Sequence, residues 1–505
     1  MAAARPESGW QALAMDLDSG AGLLHRLTSY TPSRPWDTPV DDPRVRHDLV
    51  PNDPATRPPQ LKEYPAGLEA VPLPRDLAAP DAPAGAAVDV LAGTAVEPRP
   101  RLDLARLGRV LFLGAGVVRT VERDGRPVLF RAAGSAGGRF PLEVYVSAVG
   151  VDGLPDGVHR YDPAGHALVR VGPPAVGGAT TLVVTGVPWR TGWRYAERGW
   201  RHLYWDAGTV LSQLEAAAAG DGLAPRLRTL FPDAVVRDLV GADGVHEYPV
   251  ALLTFGDGEP ALTPSGGAVA GVLPQVELPL CTQAQAAGER AVLGPAWPVG
   301  AAVGLPAPAP LPSGRGGGSL DDVVLRRGSQ RLMDPARTLP REHVEWSMAV
   351  ATRGVDVPHV VAVHGVDGLD RGVYAWPRLD EPLVAGDVRE PLYELSLRQN
   401  LASESSYVAV SWADPVTLDD RTYRDAQLAG GLVEGRLHLA AYALGAGASG
   451  MTFYDSMLAA VLAVPDDAVG LLVTCVGVPE YTSTPGGRPG APVPVRLVES
   501  RVGDL

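Results

Sequence analysis

The sequence predicts an α+β fold in which two copies of one domain are fused in tandem, joined so that the second can dock against the first within one chain. Three observations carry this. Residues 151–161 read VDGLPDGVHRY and residues 366–376 read VDGLDRGVYAW, 215 positions later. Upstream the echo continues, with YVSAVG at 145–150 facing VVAVHG at 360–365. A second series follows in the same order. Trp200-Arg201 then Ala207-Gly208 matches Tyr423-Arg424 then Ala429-Gly430, and Phe231-Pro-Asp233 matches Phe453-Tyr-Asp455. Between the copies, residues 304–319 (GLPAPAPLPSGRGGGS) read as a linker, semi-rigid where Pro-Ala and flexible where Gly-Ser. The repeat is far too long for a stacked solenoid unit. Each copy instead reads as a strand, a Val-Asp-Gly-Leu turn and a second strand beginning at Gly-Val.

Taken in order, residues 1–100 form an irregular, proline-rich arm. A helix is expected over 10–28, and the prolines from Pro32 to Pro100 argue against regular elements beyond it. Two readings stand side by side: a disordered tail, or an extended arm pinned to a domain by Trp36, Tyr64 and spaced Leu and Val. The first domain is expected over 101–260, a connection over 261–320 and the second domain over 321–505. Within the first, a helix starts near Leu102, a strand lies near Tyr145, a helix covers 209–219 and a strand covers 249–255. In the second, 469–476 is the matching strand.

Composition narrows the function classes. Of the 505 residues 46% are hydrophobic and 20% charged, as in a soluble enzyme. A formal net charge of −14 argues against a nucleic-acid surface as the main partner. Two cysteines exclude a disulfide framework or a multi-cysteine zinc site, and the 10 histidines lack metal-ligand spacing. Neither a signal-like apolar segment nor an apolar run of about 18 residues is present, so a cytoplasmic chain without a membrane span is expected. Gly114-Ala-Gly116 lacks the third glycine of a dinucleotide fingerprint. Lys62 is the single lysine, so a lysine base or Schiff base could only be Lys62.

Two short segments point to chemistry, one in each copy. Residues 326–331, RRGSQR, place guanidiniums and a hydroxyl where an anion could be clamped; the plainer reading is a solvated basic helix end. Gly134-Ser135-Ala136-Gly137-Gly138 would let backbone approach a flat ligand; the plainer reading is a glycine-rich connection.

These residues resemble a family. Arg327-Gly-Ser329-Gln-Arg331 resembles the Arg-x-Ser-x-Arg phosphate motif of FMN-dependent nitroreductases, and 131–141 resembles their Pro-Ser-Ala-Gly stretch, with Gly134 where proline is usual. A fuller resemblance is to azoline dehydrogenases of SagB type, which oxidise thiazolines and oxazolines in ribosomal peptides. It is carried by RAAGSAGGRFPLEVYV, GVHRYDP, WRYAERGWRHLYWDAG and LHLAAYALGAGASGMTFYDS, and covers roughly residues 102–498.

The resemblance implies two nitroreductase-like domains, each a central antiparallel-rich sheet flanked by helices, with one FMN at their interface. It places the phosphate on Arg327, Ser329 and Arg331, the ring against Gly134, Ser135, Ala136 and Gly137, and the backbone of Gly450, Met451 and Thr452 near the reactive nitrogen. Arg488 is a further basic contact. Projected by 215 residues, Arg327, Ser329 and Arg331 fall on Phe112, Gly114 and Gly116, and Ser135 falls on Val350. Each copy therefore lacks what the other keeps, which implies a pseudo-dimer within one chain, with one composite site. A Lys-Tyr pair is implied for the proton step; its match is Arg194-Tyr195. Arginine is a poor base, leaving Tyr195, with a pKa lowered by Arg194, as the expected proton acceptor. The implied substrate is a peptide or peptide-derived molecule prepared by a cyclodehydratase partner, with oxygen reoxidising the flavin and a homodimer of pseudo-dimers open. Two alternatives remain: an NAD(P)H-dependent reductase of nitro, quinone or ene groups, and a flavin-poor scaffold of a peptide-modifying complex.

Overall fold

Both Val-Asp-Gly-Leu segments are turns between neighbouring antiparallel strands, with Gly153 at φ +86° and Gly368 at φ +77°, a conformation that only glycine adopts cheaply. The computed structural model describes residues 15–18, 20–35, 41–46, 48–77, 87–93, 102–123, 125–300, 304–309, 311 and 317–501.

The first turn belongs to a seven-stranded sheet. Its strands are β1 (Ala70–Pro72), β2 (Leu142–Ala148), β3 (Gly157–Asp162), β4 (Ala167–Gly172), β5 (Thr181–Gly186), β6 (Pro225–Arg228) and β7 (Tyr248–Phe255). They run in the order β1-β4-β3-β2-β5-β7-β6, with every pair antiparallel. The second turn belongs to a six-stranded sheet of β8 (His359–Val363), β9 (Gly372–Ala375), β10 (Val384–Ala385), β11 (Tyr407–Ala413), β12 (Gly447–Met451) and β13 (Val469–Gly477). Their order, β10-β9-β8-β11-β13-β12, is again fully antiparallel. Edge strand β1 apart, the two sheets trace one path. Strands β5, β7 and β13 are buried at every residue, which is why their sequences are dominated by apolar residues instead of alternating.

The described helices that shape the site are α1 (Gly20–Thr28), α2 (Leu104–Ala115), α3 (Pro188–Tyr195), α4 (Gly199–Gly220), α5 (Leu320–Arg326), α6 (Arg341–Ala351) and α7 (Asp420–Ala443). Asp103 caps α2 by accepting from the Arg106 N–H, and Ser319 with Asp322, and Asp419 with Thr422, form capping boxes on α5 and α7. The long α4 and α7 cross backbone to backbone. A Cβ on Gly208 would lie 2.3 Å from the carbonyl carbon of Gly431, and one on Gly431 would lie 2.3 Å from the Trp205 oxygen.

The contacts beside this crossing are reciprocal. Arg198 and Arg201, at the head of α4, pair with Asp455 at 2.7 and 2.6 Å. Arg421 and Arg424, at the head of α7, pair with Asp233 at 2.7 and 3.1 Å. An exchange in which each half's arginines hold the other half's aspartate is the pattern of a twofold contact. One apolar core joins the halves, running through Leu107, Leu111, Leu211, Leu214, Leu432, Leu439 and Leu471.

Several expectations change in detail. The first described helix is Gly20–Thr28; residues 1–14 and Trp36 lie outside the described residues. Regular elements do occur among the prolines, as β1 and a short helix, Ala87–Ala92. An edge strand tolerates Pro72, which lacks an N–H to pair. The helix expected over 209–219 is the longer α4. In its described parts the arm is pinned: the Tyr64 hydroxyl lies 3.0 Å from that of Tyr145, and Lys62 is buried. Where the first half has the strand Arg126–Arg131 and the glycine-rich loop, the second has α6 at the matching positions. No described helix is long and apolar enough to cross a membrane.

Candidate active site

A cavity of 360 Å³ opens where the halves meet. From the first half come residues 134–137, Arg194, Tyr195, His202, Trp205, Asp206 and Thr209. Ser329, Arg331, Leu397, Gln399, Glu434, Leu472 and residues 449–452 come from the second. Tyr30 arrives from the N-terminal arm. Past residues Gly134, Ser135, Ser329 and Arg331 lies a second chamber of 190 Å³. Five arginines line it (Arg119, Arg131, Arg327, Arg331 and Arg496), and none of its lining residues is acidic.

The small-residue loop is shaped by Asp206 of α4. The Ser135 hydroxyl donates to Asp206 Oδ2 at 2.5 Å and the Ala136 N–H to Oδ1 at 2.9 Å; the Phe140 N–H donates to Ser135 Oγ at 2.8 Å. Gly137 stands at φ +58°, and a Cβ there would lie 2.5 Å from Arg194 Cδ. Burial raises the Asp206 pKa to about 7, against the hydrogen bonds from Ser135 and Ala136 and with a smaller push from Glu434.

Arg327 crosses between the halves. Its Nε and Nη2 donate to the Ala132 carbonyl at 3.1 and 2.7 Å, and its Nη1 lies 3.0 Å from His438 Nδ1. The guanidinium is thus a brace on the chain entering the loop as well as part of the basic chamber's wall. Arg119 donates to the carbonyls of Thr484 and Leu325 at 2.8 and 2.6 Å, and burial, with Arg327 beside it, pushes its pKa down to about 10. Ser329 sits beside β12 through a backbone bridge to Ala448. Arg331 is exposed, with its backbone N–H bonded to the Tyr481 hydroxyl.

Of the residues singled out from the sequence, Gly134, Ser135, Ala136, Gly137, Arg194, Tyr195, Arg327, Ser329, Arg331, Gly450, Met451 and Thr452 all line these two chambers. Arg488 does not. It is exposed in a tight turn that bridges to Ala491, and the C-terminal arginine that reaches the chamber is Arg496. The expectation for Tyr195 is also corrected. Burial raises its pKa, and Arg194, although it pulls the other way, does not outweigh burial. The Tyr195 hydroxyl is therefore not drawn down toward neutral pH, although Arg194 is hydrogen-bonded to it. Its ring stacks on His202 at 4.0 Å. Lys62 is not placed to act as a base on a cavity ligand: it is buried against Glu247 and the Tyr145 hydroxyl, and it does not line the cavity.

The positions that mirror the site are filled. Phe112 and Val350 are each 1% exposed, and a Cβ on Gly114 would meet Leu214 Cδ2 at 2.3 Å. Sequence reasoning missed Asp206, His202, Tyr30, Arg119 and Arg496. For Asp206 a signal existed: it is the single acid in the stretch of α4 from Gly199 to Gln213, in a helix buried on nearly all sides. Among the described residues no group of three or more His, Cys, Asp or Glu could hold a metal ion.

No family model matches the chain. A protein of Methanocaldococcus jannaschii with a provisional nitroreductase name is 29% identical over 170 residues, which is 31% of this chain and 81% of that protein. The crystal structure of a provisionally named nitroreductase from Anabaena variabilis matches with a TM-score of 0.67 at 24% identity, over 92% of this chain and 100% of that one. A similarly named structure from Ralstonia eutropha covers 39% of this chain and 93% of its own at 21% identity, with a TM-score of 0.29.

Proposed function

We propose that this chain, whose fold is nitroreductase-like, is an FMN-dependent oxidoreductase, and that it dehydrogenates azoline-type or related groups on a ribosomally made peptide. The observation that carries the flavin reading is the cavity itself: small residues 134–137 of one half and Ser329, Arg331 and 450–452 of the other line one space that opens into an acid-free, arginine-lined chamber. The matched strand orders and the exchanged arginine–aspartate pairs support two tandem copies, near 101–260 and 321–505, packed as a pseudo-dimer.

The residues fit FMN. Arginine and serine donors without a competing carboxylate suit a phosphate, and a loop without bulky side chains suits a planar ring. Ser329, Arg331 and Arg496 would hold the phosphate, with Arg119 and Arg327 adding positive potential. The loop 134–137 and residues 450–452 would hold the ring, where FMN supplies hydride-accepting chemistry. The chain's own part is orientation and proton handling. Tyr195 would offer its hydroxyl to the substrate, and Asp206, with a pKa of about 7, is suited to take a proton near neutral pH. The azoline assignment is supported by the sequence segments that resemble SagB-type dehydrogenases, and a cyclodehydratase acting first would make the substrate.

Fluorescence titration with FMN tests the site. Arg331→Ala with Arg496→Ala is expected to weaken binding by about 100-fold or more, since each charge-assisted hydrogen bond contributes roughly 1.5–3 kcal/mol. Arg488→Ala serves as the unaffected control. Undiminished affinity in the double variant would remove the phosphate from this chamber, and a wild-type protein that binds no FMN would leave the scaffold reading. The similarity to the Methanocaldococcus jannaschii protein, together with Arg194 in place of lysine, favours a second reading, an NAD(P)H-dependent nitro, quinone or ene reductase. Rapid anaerobic bleaching of the flavin by NADPH would select it.

A further inference from the structure

The N-terminal arm supplies part of the cavity wall, through Tyr30. An anchored helix leads to that residue, and two contacts hold it. Helix α1, just before it, buries Leu23 and Leu24 completely. The Tyr30 N–H donates to Asp455 Oδ2 at 2.8 Å, and its ring centroid lies 4.0 Å from the Arg198 guanidinium carbon. The side chain is 7% exposed and the residue lines the cavity, while its hydroxyl forms no hydrogen bond with a described residue and is not among the fully buried unpartnered atoms. Burial pushes its pKa up to about 12, so it stays a donor across the working pH range.

The ring of His202 forms another part of the same wall, with its Nε2 sealed beneath the surface. His202 is 3% exposed and its Nε2 has no hydrogen-bond partner. The ring is held by stacking on Tyr195 at 4.0 Å and by edge contact with Trp205 at 4.5 Å. Burial, then Arg198, Arg201 and Arg194, hold it well below the usual histidine range, hence neutral. Neither residue lines the arginine chamber, so both belong to the part of the cavity beyond Ser329 and Arg331. Arg198 and Arg201, the nearby buried cations, are turned to Asp455 and do not line the cavity.

We infer that Tyr30 is a specificity-determining hydrogen-bond donor of this site, beside the His202 ring, for a neutral, planar substrate group that carries a hydrogen-bond acceptor, such as the ring nitrogen of an azoline. The inference rests on the proposed function and names what selects its substrate. Tyr30, Tyr195, His202 and Trp205 give this stretch of the cavity an uncharged aromatic wall, which suits a flat neutral group, whereas the arginine chamber would draw an anion. A buried donor left without an acceptor loses its hydrogen bond to water, so a substrate of the same shape but lacking the acceptor is rejected.

Calorimetric titration of the FMN-loaded protein with 2-phenylthiazoline and with 1-phenylcyclopentene, a similar shape without the ring nitrogen, tests this. Wild type is expected to prefer the thiazoline. Tyr30→Phe keeps the ring on Arg198 and the backbone bond to Asp455, and should lose about 3- to 10-fold in thiazoline affinity with no change for the carbocycle. An equal loss for both probes, or none for the thiazoline, overturns the role of Tyr30. FMN titrations of both proteins, and the same probes on flavin-free protein, separate the readings. Failure of wild type to bind FMN overturns the flavin reading, while unchanged probe discrimination with normal FMN binding overturns this one.

Discussion

Asp206 sits in the middle of a buried helix with a carboxyl that faces two donors and no cation. Its folded pKa of about 7 lies above the value near 3.9 of an unfolded aspartate. Between those values the folded protein binds more protons than the unfolded chain. The stability this group contributes is therefore fully present below about pH 4 and is lost as pH rises through about 7. Asp206→Asn removes that titration. Its stability relative to wild type should rise from pH 5 to pH 8 by up to a few kcal/mol, read by urea denaturation at each pH. Glu197, raised by burial to about 7, and Asp425, raised to about 6, titrate in both proteins and cancel in the difference. A pH-independent difference would show Asp206 to be an ordinary carboxylate.

At the scale of elements, the α4–α7 crossing brings the two halves of the cavity within reach of each other. Thr209 Oγ1 donates to Glu434 Oε2 at 2.8 Å across it, and both residues line the cavity. Glycine inside a helix costs about 1 kcal/mol relative to alanine, so its use here needs a reason. That reason is the approach of backbone at Gly431, where a Cβ would press on Trp205. Gly431→Ala should therefore destabilise by about 1–3 kcal/mol despite its better helix propensity, seen as a fall in Tm. Gly267→Ala, on a residue whose Cβ would meet nothing within 4 Å, should leave Tm nearly unchanged. A stabilised Gly431→Ala variant would mean that the helices can part at little cost.

Across the whole molecule, the two arginine–aspartate exchanges and the shared core make one unit of both sheets. Burial pushes the Asp455 carboxyl up, but Arg198, Arg201 and His25 outweigh it and hold the group below the usual carboxylate range. Its contribution is present above about pH 4 and lost as pH falls through its folded value. Asp455→Asn leaves two buried guanidiniums without a counter-charge and should cost about 3–5 kcal/mol at neutral pH. Calorimetry should still show one transition; two separated transitions would show that the halves unfold independently.

Local requirements were legible in the sequence. Gly153 and Gly368 mark turns because a left-handed φ demands glycine wherever the chain goes next. The small residues 134–137 were legible for a similar reason, since the absence of bulk is a property of the residues themselves. The pairings were not. Tyr195 was expected to lose its proton to the influence of Arg194, its neighbour in sequence, whereas burial, set by everything packed around it, decides the opposite. Arg488 and Arg496 lie eight residues apart in the C-terminal segment, and only the path of that segment turns Arg496 toward the arginine chamber. Arg327 engages Ala132, 195 residues away, and Tyr30 reaches the cavity because Asp455, 425 residues away, holds its backbone. The sequence by itself determined the turns, the apolar strands and the small-residue loop, which depend on each residue's own stereochemistry. Tertiary structure alone decided which charges are buried, which are paired and which polar groups are left to the cavity, because burial and pairing depend on distances between parts of the chain that no local pattern encodes.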